Sequence, residues 1–75
     1  MKELALFVVK RLVDKPEAAF VDETQEGDVS VLKVVVSEED KGKVIGRQGK
    51  VIKAIRAVVG AAAQKTGRRV AVEID

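Results

Sequence analysis

Two glycines three positions apart, Gly46 and Gly49, interrupt an otherwise helical stretch in the second half of this 75-residue chain. Upstream, residues 37–45 begin as a helix begins, with Ser37 placed as an N-cap and Glu38, Glu39 and Asp40 where the positive end of the helix dipole favours acids. Downstream, Ile52, Ile55, Val59 and Ala63 recur at the spacing of one helix face until Gly67 supplies a stop. Glycine breaks such a run and permits backbone angles that other residues avoid. The sequence therefore predicts two helices meeting at a tight corner, the second starting near Gly49.

The remaining segments build around that corner. Over residues 2–14, Leu4, Val8 and Leu12 run beside Ala5, Val9 and Val13 at helical spacing, and Pro16 ends the run because it donates no hydrogen bond and restricts Lys15. Residues 18–24 and 29–37 are rich in β-formers and are joined by Glu26-Gly27-Asp28, the pattern of an antiparallel hairpin; Leu32, Val34 and Val36 share one face. In residues 69–75, Val70, Val72 and Ile74 alternate with other residues as in a final strand. The order is α-β-β-α-α-β, an α+β fold in a single domain spanning residues 1–75. The second and last strands are joined by a crossover through two helices and should run parallel, giving a mixed three-stranded sheet with helices on one face.

Composition narrows the chemistry. Phe7 and Phe20 are the only aromatic residues, and there is no cysteine, so the core has to be aliphatic, without help from disulfides or thiolate metal ligands. Stacking of bases on aromatic rings is unavailable as a main binding device. Histidine is absent too, and the hydroxyls of Thr24, Ser30, Ser37 and Thr66 lie in no nucleophile-elbow context, so neither an enzyme nor a cofactor or metal site is expected. The apolar opening stops at Lys10-Arg11 with no small-residue cleavage site after it, which reads as a helix rather than a signal peptide. No segment approaches the roughly 20 apolar residues that cross a bilayer, and the first helix has a polar face of mixed charge. A soluble, cytoplasmic protein with no membrane partner is expected.

The net charge of +2 conceals a strong asymmetry: residues 1–40 sum to −5, residues 41–69 to +9 with no acid among them, and residues 70–75 to −2. A stretch of this kind is either an ordinary solvated helix surface or, if its charges share a face, an electrostatic footprint for a polyanion.

The glycine pair sits at the centre of that stretch, in Gly42-Lys43-Val44-Ile45-Gly46-Arg47-Gln48-Gly49-Lys50-Val51-Ile52-Lys53. Alone, such a pair can be a plain helix-to-helix turn. Here, glycines without Cβ atoms could let a sugar-phosphate chain approach the backbone, the following helix would offer unpaired amides and its positive dipole end, and Arg47 and Lys50 would add charge. A nucleotide-binding P-loop is excluded, because no Gly-Lys-Ser/Thr follows and no strand directly precedes.

On these residues the chain resembles the KH domains, whose hallmark Val-Ile-Gly-x-x-Gly-x-x-Ile it matches at Val44, Ile45, Gly46, Gly49 and Ile52. The extra helix and strand at the N-terminus correspond to the type II arrangement of that family, and the resemblance covers the whole chain. It implies a non-catalytic RNA-binding protein of low sequence specificity, with a role in post-transcriptional regulation or as an RNA chaperone. About four nucleotides of single-stranded RNA would cross a groove between the two helices, with bases over an apolar floor and a strand edge. The residues implicated are Lys43, Val44, Ile45, Gly46, Arg47, Gln48, Gly49, Lys50, Lys53 and Arg68. The family's variable loop would fall at residues 64–68, where Lys65, Arg68 and Arg69 either close the groove or simply solubilise a helix end.

One of Val44 and Ile45 should face the groove and the other the core, while Ile52, Ile55 and Val59 belong to the core stripe. Beside that stripe, Val51, Val58 and Ala62 form a second apolar line. It is either buried within the monomer or covered by a homodimer partner or another KH-domain protein, a pairing the resemblance also implies. The alternative to RNA binding is a protein-interaction module on the same scaffold, with nucleic acid incidental.

Overall fold

Alternation of apolar residues along three short segments makes the sheet, and helical spacing makes the layer that covers it. The computed structural model describes residues 1–74. In chain order it contains α1 (Lys2–Leu12), β1 (Phe20–Glu26), β2 (Val29–Val35), α2 (Glu38–Ile45), α3 (Lys50–Lys65) and β3 (Arg69–Ile74), with single 3-10 turns at Pro16–Ala18 and Arg47–Gly49. The strands lie in the order β1-β2-β3, with β1 antiparallel and β3 parallel to the central β2, as the crossover requires. Leu32 and Val34 of β2 pack with Val21, Val72, Ala5, Val9, Ile55 and Val59 in one aliphatic core. Both phenylalanines stay outside it, Phe7 being 57% and Phe20 48% exposed. On the opposite face of the sheet the register sets Asp22 and Glu73 on either side of Lys33.

Element boundaries depart from the sequence expectation where a side chain or a turn competes with the ladder. The first strand starts at Phe20 rather than residue 18, because Pro16 nucleates a 3-10 turn closed by the Ala18 and Ala19 amides on the carbonyls of Lys15 and Pro16. The hairpin turn is the two residues Gly27-Asp28, with Glu26 paired to Val29 and Gly27 at φ +64, as primed turns require. The second strand ends at Val35, opposite Phe20, where its antiparallel partner begins. At the C-terminus of α3 the Gly67 and Arg68 amides return to the carbonyls of Gln64 and Ala63, a Schellman closure with Gly67 at φ +71. The predicted last residue of β3, Asp75, lies outside the described residues.

α1 stops at Leu12, two residues short of expectation, because the next amides have another acceptor. Asp40, buried in the first turn of α2, accepts from the backbone amides of Asp14 (3.1 Å) and Lys15 (3.0 Å) and from the Ser37 hydroxyl (3.0 Å). Ser37 thus stands at the N-cap of α2 but donates to Asp40 rather than accepting a helix amide. Burial alone would raise the Asp40 pKa. The two amides, the hydroxyl and the nearby Lys43 ammonium outweigh it and hold the carboxyl below the ordinary aspartate value of 3.8. One carboxylate therefore ties the α1–β1 connection to the start of α2.

The corner between α2 and α3 is fixed from inside. Gly46 adopts φ +76, ψ +172, a region open essentially to glycine alone. A Cβ there would sit 2.4 Å from Val51 Cγ2 and 2.8 Å from the Val51 backbone nitrogen. Gly49 also has a positive φ, +74, but its Cβ would meet only Ile52 Cγ2 at an ordinary 3.9 Å. Between them Gln48 takes the left-handed conformation, φ +58, ψ +27, unusual for a residue with a side chain. α3 accordingly begins at Lys50, one residue later than expected, after a 3-10 turn.

Two outcomes follow from these contacts. Gly49→Ala is expected to cost about 1 kcal/mol for the left-handed conformation. Gly46→Ala should cost clearly more, since its Cβ must also displace Val51; urea denaturation of the two variants compares them. Asp40→Asn should melt at lower temperature at neutral pH, because one amide oxygen cannot replace a carboxylate facing three donors. The Asp40 contribution is whole above pH 3.8 and is lost as pH falls through its lower folded-state value, so below pH 3.8 the melting temperature of the wild type should fall more steeply than that of the variant.

Candidate nucleic-acid interface

The 3-10 turn at the corner decides which backbone amides are available to a ligand. The Gly49 amide is spent on the Gly46 carbonyl (3.1 Å), and the Lys50 amide on that of Arg47. The amides of Arg47 and Gln48 take part in neither of these closures. The donors this turn does not use are thus those of the loop itself, just ahead of the helix whose first turn was expected to supply them. The two glycines also divide their tasks: the missing Cβ of Gly46 makes room for Val51 of the same chain, while the α-carbon of Gly49 turns its open side outward, where a backbone could approach.

Charge concentrates at the same point. The first turn of α3 contains no acid, and Arg47, Lys50 and Lys53 surround the positive end of its dipole, against the usual preference. The start of α2 is the reverse, with Glu38, Glu39 and Asp40 where they stabilise the helix. Of the nine cations in residues 41–69, three are neutralised within the fold: Lys41 by Glu38 (3.2 Å), Arg69 by Asp28 (3.8 Å) and Lys43 by Asp14. The Asp14 carboxylate, its hydrogen bond first and its charge behind it, raises the Lys43 pKa against the opposing effect of burial. Lys43 is therefore held toward the end of α1. Among the described residues Arg47, Lys50, Lys53 and Arg56 form no ion pair with an acid.

Helical geometry distributes these residues. Lys53, Arg56 and Gly60 follow the loop along the flank of α3 that faces β3, at steps of three and four residues. Arg56 Nε donates to the carbonyl of Val72 on that strand (3.0 Å). Between helix and strand lies an open groove of about 340 Å³ lined by Arg56, Val70, Ala71, Val72 and Glu73. A Cβ at Gly60, one turn beyond Arg56, would meet nothing within 4 Å.

Of the residues singled out from sequence, Gly46, Arg47, Gln48, Gly49, Lys50 and Lys53 come together at this corner. Val44 is 0% and Ile45 37% exposed, which resolves their division: Val44 is core and has no surface to offer a ligand, while Ile45 lies open beside the loop. Arg68 stands beyond the far end of α3, a helix about 24 Å long, and is not part of the cluster. Arg56 was not singled out. Its spacing, seven residues after Gly49 and three after Lys53, was the available signal.

The comparisons with known proteins agree with this architecture. The family model described as "KhpA/KhpB, KH domain" matches residues 2–74. The chain is 53% identical over 74 residues to the RNA-binding protein KhpA of Clostridium perfringens, covering 99% of each chain. It is 44% identical over 72 residues to that of Borreliella burgdorferi, covering 96% of this chain and 88% of the other. Among solved structures, Aquifex aeolicus Era bound to GDP.AlF4- superposes with a TM-score of 0.72 at 22% identity. Era in complex with MgGDPNP and nucleotides 1506-1542 of 16S ribosomal RNA gives 0.71 at 21%. Each superposition covers 97% of this chain but 28% of the Era chain, and at that identity it establishes the fold alone. The family match along residues 2–74 and the high identity to relatives of the same length carry more, and on them the chain belongs to the KhpA/KhpB KH-domain family.

Proposed function

We propose that this chain is a non-catalytic binder of single-stranded RNA that clamps the sugar-phosphate backbone at residues 46–49 and lays the bases along the groove between α3 and β3. The observation that carries the proposal is the arrangement at the corner: Arg47, Lys50 and Lys53 at a helix start without acids, beside two loop amides that the 3-10 turn does not use. An anion there satisfies the amides and relieves the unfavourable pairing of cations with a positive dipole end. The curated relatives named above are RNA-binding proteins from bacteria, which favours RNA over DNA and the cytoplasm as the place of action.

The test compares binding of fluorescent single-stranded RNA by the wild type and by Arg47→Asp, Gln48→Asp, with folding checked by circular dichroism. Aspartate tolerates the left-handed conformation at position 48, so the corner should survive. Three phosphates neutralised by Arg47, Lys50 and Lys53 give log K a slope of about −2 against log salt for the wild type. The double variant should bind at least tenfold more weakly with a flatter slope. Equal binding by the two proteins overturns the clamp.

A second surface supports pairing with another copy of the chain. Val8 and Leu12 of α1 and Val51, Ala54, Ile55 and Val58 of α3 line an apolar groove of about 300 Å³, and Val58 is half exposed. Val51 and Ala62 of the line noted in the sequence are partly covered within the monomer, which leaves Val58 as its most exposed member. Pairing through this groove predicts that the wild type sediments as a dimer and that Val58→Asp, whose wild-type side chain is no core residue, sediments as a folded monomer. A monomeric wild type at all practical concentrations rules the pairing out.

A further inference from the structure

The groove beside β3 holds a guanidinium whose orientation is fixed by the protein itself. β3 is an edge strand, paired on one side with β2 only. Arg56 crosses from α3 to this strand and gives its Nε–H to the Val72 carbonyl at 3.0 Å. A guanidinium has five N–H donors in a rigid plane, so anchoring Nε leaves the four on its terminal nitrogens, held in place beside the strand. No acid among the described residues takes them up. The Glu73 side chain, by strand alternation, goes to the other face of the sheet beside Lys33.

This arrangement determines which groups on a base can be satisfied. The anchor engages a backbone acceptor of the groove, the Val72 carbonyl, and sets a row of donors beside it. Guanine presents two adjacent acceptors, O6 and N7, which match a guanidinium fork. Both hydrogen-bonding edges of adenine carry the N6 amino group, a donor that would face the guanidinium donors. Arg56 lies seven residues along α3 from Gly49, about 10 Å of helix, on the flank that continues from the loop through Lys53. Gly60, a turn further, adds no side chain to that flank.

We propose that Arg56 is a specificity-determining residue that makes the groove select a guanine over an adenine at the nucleotide lying across the β3 edge. The proposal rests on the clamp reading, since the loop must first seat the backbone for a base to reach the edge.

The experiment uses uridine-rich RNA decamers carrying one central guanosine, adenosine or 7-deazaguanosine, titrated with the full chain as wild type, Arg56→Lys and Arg56→Met. The wild type should bind the guanosine decamer more tightly than the adenosine one by about 5- to 150-fold, the range a bidentate arginine–guanine contact gives. Most of that preference should vanish with 7-deazaguanosine, which lacks the N7 acceptor. Arg56→Lys keeps the charge and loses the fork, so its preference should collapse to within about twofold while its salt slope stays that of the wild type.

A wild type that binds the guanosine and adenosine decamers equally overturns the proposal and leaves the clamp intact. So does Arg56→Lys retaining the wild-type preference. If both Arg56 variants weaken all three decamers by one common factor, or lose thermal stability with unchanged preference, Arg56 is a backbone contact or a strand anchor and the assignment fails. A wild type that binds none of the decamers removes the clamp reading itself, and the proposal with it.

Discussion

The contact of Gly46 with Val51 sets the geometry on which the site depends. Because no Cβ separates them, the end of α2 closes directly onto the first turn of α3, and the chain has the four residues 46–49 in which to reverse its course. That shortness forces Gln48 and Gly49 into left-handed angles and spends the Gly49 and Lys50 amides on a 3-10 turn. The amides of Arg47 and Gln48 take no part in that turn. In the proposed clamp, the donors offered to a phosphate would be a by-product of a packing constraint. The clasp at Asp40 complements it by tying the other end of α2 to the α1–β1 connection, so α2 is held at both ends.

Electrostatics separates the part of the molecule where charge supports the fold from the part where it opposes it. At the start of α2 the acids agree with the dipole, and one of them, Asp40, is buried among donors. At the start of α3 the signs are reversed, with cations where acids would stabilise. Local choices in a natural sequence tend to support the fold, so a conflict concentrated at one corner marks a place where something other than folding is served. Lys43 shows the limit of counting charge along a sequence. It belongs to the acid-free run, yet Asp14, 29 positions earlier, claims it in the folded chain.

Much of the fold was legible because each element advertises itself by period: two for the strands, three and four for the helices, with Gly27 and Gly67 at turns that need positive φ. The topology followed from the crossover rule. Boundaries were less legible, because they are set by partners distant in sequence, as when Asp40 captures amides that would have prolonged α1. At the site, the composition of the loop could be read, but not which glycine packs inward or which amides the turn spends, since both depend on a single 3-10 turn. Arg56 was missed because an arginine three residues after a lysine on a helix looks like any solvated charge until the strand beside it is placed. The division between Val44 and Ile45 likewise needed the angle at which α2 ends.

α3 carries two surfaces, and their directions on the helix make them compatible. Arg56 and Val58 are two positions apart and point roughly 160° away from each other, one toward β3 and the other toward the groove along α1. RNA along the β3 flank and a second chain against Val58 would therefore not compete for space. Lys50 is the residue common to both: its stem lines the apolar groove while its position in the first turn keeps its ammonium near the loop. A single clamp reading a few nucleotides, without aromatic rings to stack on, has little with which to build affinity. Two clamps in one paired unit turn the second contact with a strand into an intramolecular event, and the gain comes from effective concentration rather than new contacts. Pairing would thus compensate for the same poverty of aromatic residues that leaves the core aliphatic.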